Sequence, residues 1–403
     1  MKLLIADSFE ASGVDGLRAA GFEITHEPNL KGDDLREAIV YSACQVLVVR
    51  GTKVTADMID ASSQLGLIVR AGAGYNTIDV AAASRRGIFV SNCPGKNAVA
   101  VAELTFALIL ALDRRVVDNT LDLRNGKWNK KEYAKARGLK GRTIGIVGMG
   151  QIGQAVVTRA HAFEMNVVAW SRSLTDTQAE ELGVTRLANA AEVAAVCDIL
   201  SIHLAAAPET KGLISADVLD RLRPGSYVIN TARADVLDYA ALARAVREKD
   251  LRVGLDVFPS EPETATAEYR ADILDAGGVI YGAHHIGAST DQAQEAIAAE
   301  TVRICRAFKE TGQVPNCVNI ETQSPACCQL VVRHYDKVGV LATVLDMLRR
   351  AEINVEEMSN TIFQGARAAV AVIRLHQKPT PELLASLTDM KDMIIKVELK
   401  PIT

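Results

Sequence analysis

The chain has 403 residues, 49% of them hydrophobic and 23% charged, with a formal net charge of -4. This composition excludes a disordered or fibrous chain and supplies enough apolar residues for two or three separately cored domains. No basic stretch or basic amphipathic face is present, which argues against nucleic acid or a membrane surface as a partner.

In chain order, Met1-Lys-Leu-Leu-Ile-Ala6 reads as a first strand, not a signal peptide, because Asp7 and Glu10 end its apolar run. Residues 1–97 then alternate between strand-like runs (3–6, 22–25, 46–49, 66–70, 88–90) and helical runs (10–20, 33–39, 55–63, 77–86). Asp33 and Thr55 are expected N-caps, and Gly21 and Gly87 expected stops. Such alternation predicts a parallel sheet covered by helices. Arg70-Ala-Gly-Ala-Gly-Tyr-Asn76 follows a strand without opening a helix, and Arg70, Ala71 and Gly72 offer room for a small anion.

A long helical stretch from 98 to about 125 follows, with a break expected near Asn125-Gly126. It reads as a core helix or as a bridge or oligomer surface, and the pattern fits both. Its most apolar run, Leu104 to Leu112, is far too short to span a bilayer. The seven cysteines form no Cys-x-x-Cys pair, so no zinc site or disulfide framework is expected. That usage fits a reducing cytoplasm.

The strongest signal is Thr143-Ile-Gly-Ile-Val-Gly-Met-Gly-Gln-Ile-Gly153, a buried strand running into G-x-G-x-x-G and a helix. Gly148 permits the tight turn, Gly150 leaves the backbone open to a pyrophosphate, and Gly153 lets the helix pack on the strand. The anion then meets the free N–H groups of the helix N-terminus. Further strand-like runs at 167–171, 184–187, 198–202, 226–230 and 252–257 complete an expected six-stranded doubly wound sheet, with Ser215 and Asp238 as caps. A helix over 290–311, capped by Ser289, is expected to return to the first domain, and Gln313 to Ile320 reads as strand-like. After a linker at 321–325 the order becomes βαββαβ, the ferredoxin-like pattern. The fold class is thus α/β, with two doubly wound parallel-sheet domains and a C-terminal ferredoxin-like module.

Arg233, Glu261 and His285 fall after strands of the second sheet, where its ligands gather. A histidine suits proton exchange at neutral pH, a carboxylate fixes its tautomer, and an arginine grips a carboxylate in a bidentate fork.

The ordered set of the glycine fingerprint, Asn230-Thr-Ala-Arg233, Asp256-Val-Phe-x-x-Glu261-Pro and His285-Ile-Gly-x-Ser-Thr290 resembles the D-2-hydroxyacid dehydrogenase family over residues 1 to about 320. Within it, Val54 to Ile59 and the C-terminal module resemble the phosphoglycerate-oxidising branch. The module itself resembles an ACT domain through Asp336 to Leu341 and Ile353 to Val355. The resemblance implies an NAD-dependent oxidoreductase acting on a 2-hydroxy or 2-oxo acid, with His285 as acid/base, Glu261 as its partner and Arg233 on the substrate. It implies cofactor contacts at Gly148, Gly150, Gln151, Ile152, Gly153, His203, Thr231, Asp256 and Gly287. It implies a discontinuous substrate domain (1–97 and 286–320), a dinucleotide domain (98–285) and an ACT domain (325–403). Arg50, Lys53 and Arg70 are the candidate cations for a substrate phosphate. His334, Asp336 and Asn354 match the polar positions where an amino-acid effector binds, and a homodimer or homotetramer is expected.

The sequence departs from the family at Trp170-Ser171-Arg172, where an acid for the ribose hydroxyls is missing; Ser171 and Arg172 there favour acceptance of NADP. It also has Ala234-Asp235 in place of two glycines and His284 in place of a proline. A glyoxylate or hydroxypyruvate reductase is the alternative within the family, and a non-catalytic dinucleotide sensor the alternative of another class.

Overall fold

A computed structural model describes residues 1–262, 266–321 and 323–402. The chain forms two compact units, Met1–Asn319 and Ile320–Thr403.

Five strands of the first unit, β1 (Lys2–Ile5), β2 (Glu23–His26), β3 (Val46–Val49), β4 (Leu67–Arg70) and β5 (Phe89–Asn92), make a parallel sheet in the order β2-β1-β3-β4-β5. Every residue of β3 is buried, as a strand covered on both faces requires. The helix Asp291–Thr311 returns to this sheet, where Ile297, Ile304 and Cys305 join Leu3, Val46 and Val69 in one core. Thr290, not the expected Ser289, caps it by accepting the Ala293 N–H at 3.2 Å. Residues 313–320 form no strand; a single antiparallel bridge, Ser91 to Cys317, replaces it.

Seven further strands make the second sheet: β6 (Thr143–Val147), β7 (Asn166–Trp170), β8 (Thr185–Arg186), β9 (Ile199–Ile202), β10 (Tyr227–Asn230), β11 (Arg252–Leu255) and β12 (Val279–Gly282). Their order, β12-β11-β10-β9-β6-β7-β8, is doubly wound, and it reverses between β6 and β9. The expected count of six lacked β12, a four-residue edge strand behind Gly277 and Gly278.

The helix Ala98–Arg114 packs into this second core through Ala102, Phe106, Ile109 and Leu112, so the core reading of that stretch holds. The helical stretch ends at Asn125-Gly126 as expected, and it is also broken earlier, at Arg115 (φ 49°); the second helix, Val116–Arg124, has no buried residue. Asp33 is not a cap: it lies in the first turn of Gly32–Ser42, behind Lys31. Thr55 and Ser215 occupy N-cap positions without a side-chain cap bond, whereas Asp238 accepts the Ala241 N–H at 2.9 Å.

The second unit is a four-stranded antiparallel sheet, β14-β15-β13-β16, from β13 (Cys328–Tyr335), β14 (Val355–Ile362), β15 (Ala368–Leu375) and β16 (Ile394–Pro401). The helices Val340–Arg350 and Pro381–Asp389 complete the βαββαβ order. Thr322, in the expected linker, lies outside the described residues. Among the described residues, no helix is long and apolar enough to cross a membrane.

Candidate active site

Both sheets of the first unit are parallel, so each delivers its loops at one edge, the C-terminal ends of its strands. Gly148 follows β6 and His203 follows β9, on either side of the switch point. Gly148 adopts φ +103°, and a Cβ there would overlap the His203 carbonyl. A Cβ at Gly153 would overlap the Gly148 carbonyl, whereas a Cβ at Gly150 would meet nothing within 4 Å. The first two glycines are therefore required by the protein's own packing. Gly150 instead keeps open the space at the N-terminus of the helix Gln151–Ala162. Gln151 and Ile152 begin that helix, and the Gln151 side chain lies against Gly95 of the segment joining the two sheets.

His203 donates or accepts through Nε2 with Ser201 Oγ at 2.8 Å, while its Nδ1 is buried with no partner. Burial holds its pKa down at about 4, so the ring is neutral at pH 7. Thr231 Oγ1 lies 2.9 Å from Thr105 Oγ1, which donates to the Val101 carbonyl, also at 2.9 Å; the loop after β10 is thereby pinned to the core helix. These open or unpartnered positions fit a dinucleotide at the switch point. Arg172 is exposed and sits 3.6 Å from Glu209, beside Ser171 at the end of β7.

Glu261, five residues beyond Asp256 in the loop after β11, accepts the Phe258 N–H at 2.7 Å with Oε1 and faces Nδ1 of His285 at 2.6 Å with Oε2. Partial burial pushes the Glu261 carboxyl up. His285, the Phe258 N–H and the charge of Arg233 outweigh it, and the group sits below its usual range. An ionised Glu261 only accepts, so Nδ1 carries the proton and donates, which leaves Nε2 for proton exchange.

His285 adopts φ +54°, a conformation costing about 1–3 kcal/mol for such a residue. Asp256 holds the segment there: its two oxygens accept the N–H groups of Ile286 and Gly287, each at 2.8 Å. Burial raises the Asp256 pKa against those two bonds.

Arg233 donates to the Ala232 carbonyl at 2.6 Å, and its guanidinium lies against Gly74 of the loop after β4. Arg70, at the end of β4, is largely buried with Nε unpartnered. Burial first, then the charges of Arg233 and Arg50, bring its pKa down to about 10. Its guanidinium lies over Gly72, next to Ala71. The structure thus collects Arg50, Arg70 and Arg233 where the two sheets face one another, while Lys53 sits on the exposed continuation of the Arg50 loop.

One residue there was read from sequence only as the end of an apolar run. Asp7, just beyond β1, accepts the N–H groups of Arg50 (2.6 Å), Gly51 (3.1 Å) and Thr52 (3.1 Å) and the Thr52 hydroxyl (2.9 Å). Its place after the first strand of a parallel sheet was the available signal.

In the second unit His334 is buried, with Nδ1 2.8 Å from the Tyr335 carbonyl and Nε2 3.1 Å from Asn360 Oδ1. Asp336 is exposed just beyond it. Asn354 is not brought to them. It precedes Val355, which pairs with Leu375, itself opposite Cys328 at the other end of β13, roughly 20 Å away. Among the described residues, no group of three or more His, Cys, Asp or Glu is arranged to hold a metal ion.

An imidazole held by an ionised carboxylate can exchange a proton, a glycine turn open at a helix N-terminus can take a pyrophosphate, and an arginine cluster can hold an anion, an arrangement suited to nicotinamide-dependent oxidoreductase chemistry. Residues 106–286 match the family described as D-isomer specific 2-hydroxyacid dehydrogenase, NAD binding domain. A D-3-phosphoglycerate dehydrogenase of Methanocaldococcus jannaschii is 36% identical over 308 residues, 75% of this chain and 57% of that protein. A hydroxypyruvate reductase of Thermotoga maritima is 39% identical over 294 residues, 72% of this chain and 91% of that protein. The crystal structure of NAD+-bound 3-phosphoglycerate dehydrogenase from Entamoeba histolytica superposes with a TM-score of 0.66 at 28% identity, covering 79% of this chain and 99% of that one. The chain belongs to the D-isomer specific 2-hydroxyacid dehydrogenase family, and the match to that family's NAD binding domain covers residues 106–286. It spans just over half the length of the phosphoglycerate dehydrogenase relative.

Proposed function

We propose that the chain oxidises 3-phosphoglycerate to 3-phosphohydroxypyruvate, the first step of serine synthesis, and runs the reverse reduction at the same site. The observation that carries this reading is the cluster of Arg50, Arg70 and Arg233: the charges of Arg233 and Arg50 both bear on the largely buried Arg70, whose Nε has no partner, and such a cluster calls for a ligand with more than one anionic group. A carboxylate on Arg233 and a phosphate on Arg50 and Arg70 meet that demand.

The bound nicotinamide supplies the hydride acceptor. The chain's own residues do the rest. His285 takes the hydroxyl proton through Nε2 on oxidation and returns it on reduction, while ionised Glu261 stabilises the imidazolium formed. Arg233 holds the carboxylate and polarises the adjoining C–O bond. A hydroxypyruvate reductase is the second reading, favoured by the Thermotoga relative, which this chain covers nearly end to end.

Steady-state rates on phosphohydroxypyruvate and hydroxypyruvate separate the two. Arg50→Ala is expected to lower kcat/KM on the phosphorylated acid by roughly tenfold or more, the worth of a charge-assisted contact, and to change the other little. Equal losses on both would favour the unphosphorylated substrate.

For the C-terminal unit we propose a role in homo-oligomer assembly and in response to an amino-acid effector, with Asp336 the exposed group for the effector's ammonium. Deleting residues 325–403 tests it: the truncated protein is expected to sediment as a smaller species and to lose any response to serine. Unchanged size and response would remove both roles.

A further inference from the structure

Arg233, Glu261 and His285 ride on three loops, after β10, β11 and β12, and the Glu261–His285 bond joins the last two, so the spacing of Arg233 from that pair must be set by something joining the first two loops. Tyr239 stands at that junction. It is the first residue of the helix Tyr239–Lys249, just behind the cap Asp238. Its hydroxyl donates to the Val257 carbonyl at 2.6 Å, four residues before Glu261. Burial raises the pKa of that hydroxyl, and the Asn230 side chain acts on it in the opposite sense. Asn230 in turn shapes the arginine loop: Nδ2 donates to the Arg233 carbonyl at 2.9 Å, and Oδ1 accepts the Ala232 N–H at 3.0 Å.

The far side of the carboxylate loop is held separately. Tyr269 donates to the Pro259 carbonyl at 2.7 Å and packs edge-on against Phe258, with ring centroids 6.2 Å apart. Ser260 between these anchors adopts φ +56°, so the loop does not keep its course by local preference alone. Tyr239 is half-buried, which strengthens its bond to the Val257 carbonyl relative to water.

We propose that Tyr239 is a positioning residue for the hydride-transfer site, its hydroxyl fixing the substrate-binding Arg233 loop to the Glu261 loop and so setting the register of arginine, carboxylate and histidine. It touches neither substrate nor cofactor. It acts through Asn230 on one side and Val257 on the other, so its loss loosens the grip of Glu261 on His285 without removing either group.

The test is Tyr239→Phe in the full-length protein, assayed in the reductive direction with whichever of phosphohydroxypyruvate or hydroxypyruvate turns over. The expected results are a fall in kcat of roughly threefold to tenfold, the range of one neutral hydrogen bond, and a downward shift of the apparent pKa in the kcat/KM profile. Binding of NADH, followed by fluorescence, should stay within twofold, because the substitution leaves the glycine turn after β6 and the helix Gln151–Ala162 unchanged. Tyr269→Phe, which frees only the outer side of the loop, should shift the profile less. A Tyr239→Phe profile superimposing on wild type, or a loss of active enzyme with the pKa unmoved, would overturn the proposal. Independent of any substrate, the titration midpoint of the His285–Glu261 pair by histidine NMR must move in Tyr239→Phe; an unmoved midpoint also overturns it. Failure of both candidate substrates would count against the proposed function and leave this arm intact.

Discussion

Glu261 faces the His285 ring at 2.6 Å with one oxygen and accepts the Phe258 N–H at 2.7 Å with the other, so the carboxylate is held on both sides before it orients the base. His285→Ala is therefore expected to cut turnover by two or more orders of magnitude, as loss of a general acid/base does, with dinucleotide binding nearly intact. Glu261→Gln should lower the apparent pKa of the pH–rate profile, because the charge favouring imidazolium is gone. Near-wild-type turnover of His285→Ala across pH would remove the histidine from the mechanism.

Two glycines of one fingerprint should fail in different ways. Gly150→Ala meets open space at an ordinary φ of -70°, so thermal stability should hold while affinity for NADH falls. Gly153→Ala drives a methyl into the Gly148 carbonyl, so the fold itself should lose stability. Calorimetry of the free protein beside NADH titration separates them; equal melting losses would refute the distinction.

Glu300 bears on acid stability. It accepts from Arg303 at 2.6 Å and from Asn316 at 2.7 Å and lies 3.4 Å from Lys96, tying the long helix to both connecting segments. Arg303, against the opposing effect of burial, brings the Glu300 pKa to about 2. A depressed folded pKa means stability that is present above the unfolded value and lost as pH falls through the folded one. Glu300→Gln should cost about 2–3 kcal/mol at neutral pH. The difference should shrink as pH drops from about 4.5 towards about 2. Denaturant melts at pH 7 and pH 2.5 check this, and a difference independent of pH would assign the loss to packing.

Cofactor choice turns on Arg172, exposed beside Ser171 with Glu209 at 3.6 Å. Arg172→Asp should move preference towards NADH and away from NADPH. A wild-type enzyme with no NADPH-dependent rate would show that Arg172 does not meet a 2′-phosphate.

Much of this site was readable because catalytic motifs keep chemistry and backbone geometry in one short segment. The fingerprint names its own turn, and Arg233 and Glu261 each lie just beyond a strand the sequence pattern marks, whereas His285 follows β12, an edge strand the pattern did not mark, and was legible through its own motif. What escaped was set by distant partners. Asp7 acts on a loop more than forty residues away, and Tyr239 on Val257, eighteen residues on. The break at Arg115 depends on one non-glycine residue at positive φ, which composition does not announce. Asn354 and His334 were grouped by resemblance alone, and within one chain strand direction places them at opposite ends of the sheet.

Gly95 is constrained twice, by its own φ of +74° and by the Gln151 side chain occupying the place of its missing Cβ. The two constraints have different evolutionary reach. Shortening residue 151 lifts the second and leaves the first, so drift at 151 is permitted while 95 stays glycine, or at most asparagine or aspartate. A bulky residue at 95 would need both a new backbone path and a smaller neighbour in one step. Across relatives, position 151 should therefore vary freely in size, and position 95 should not follow it.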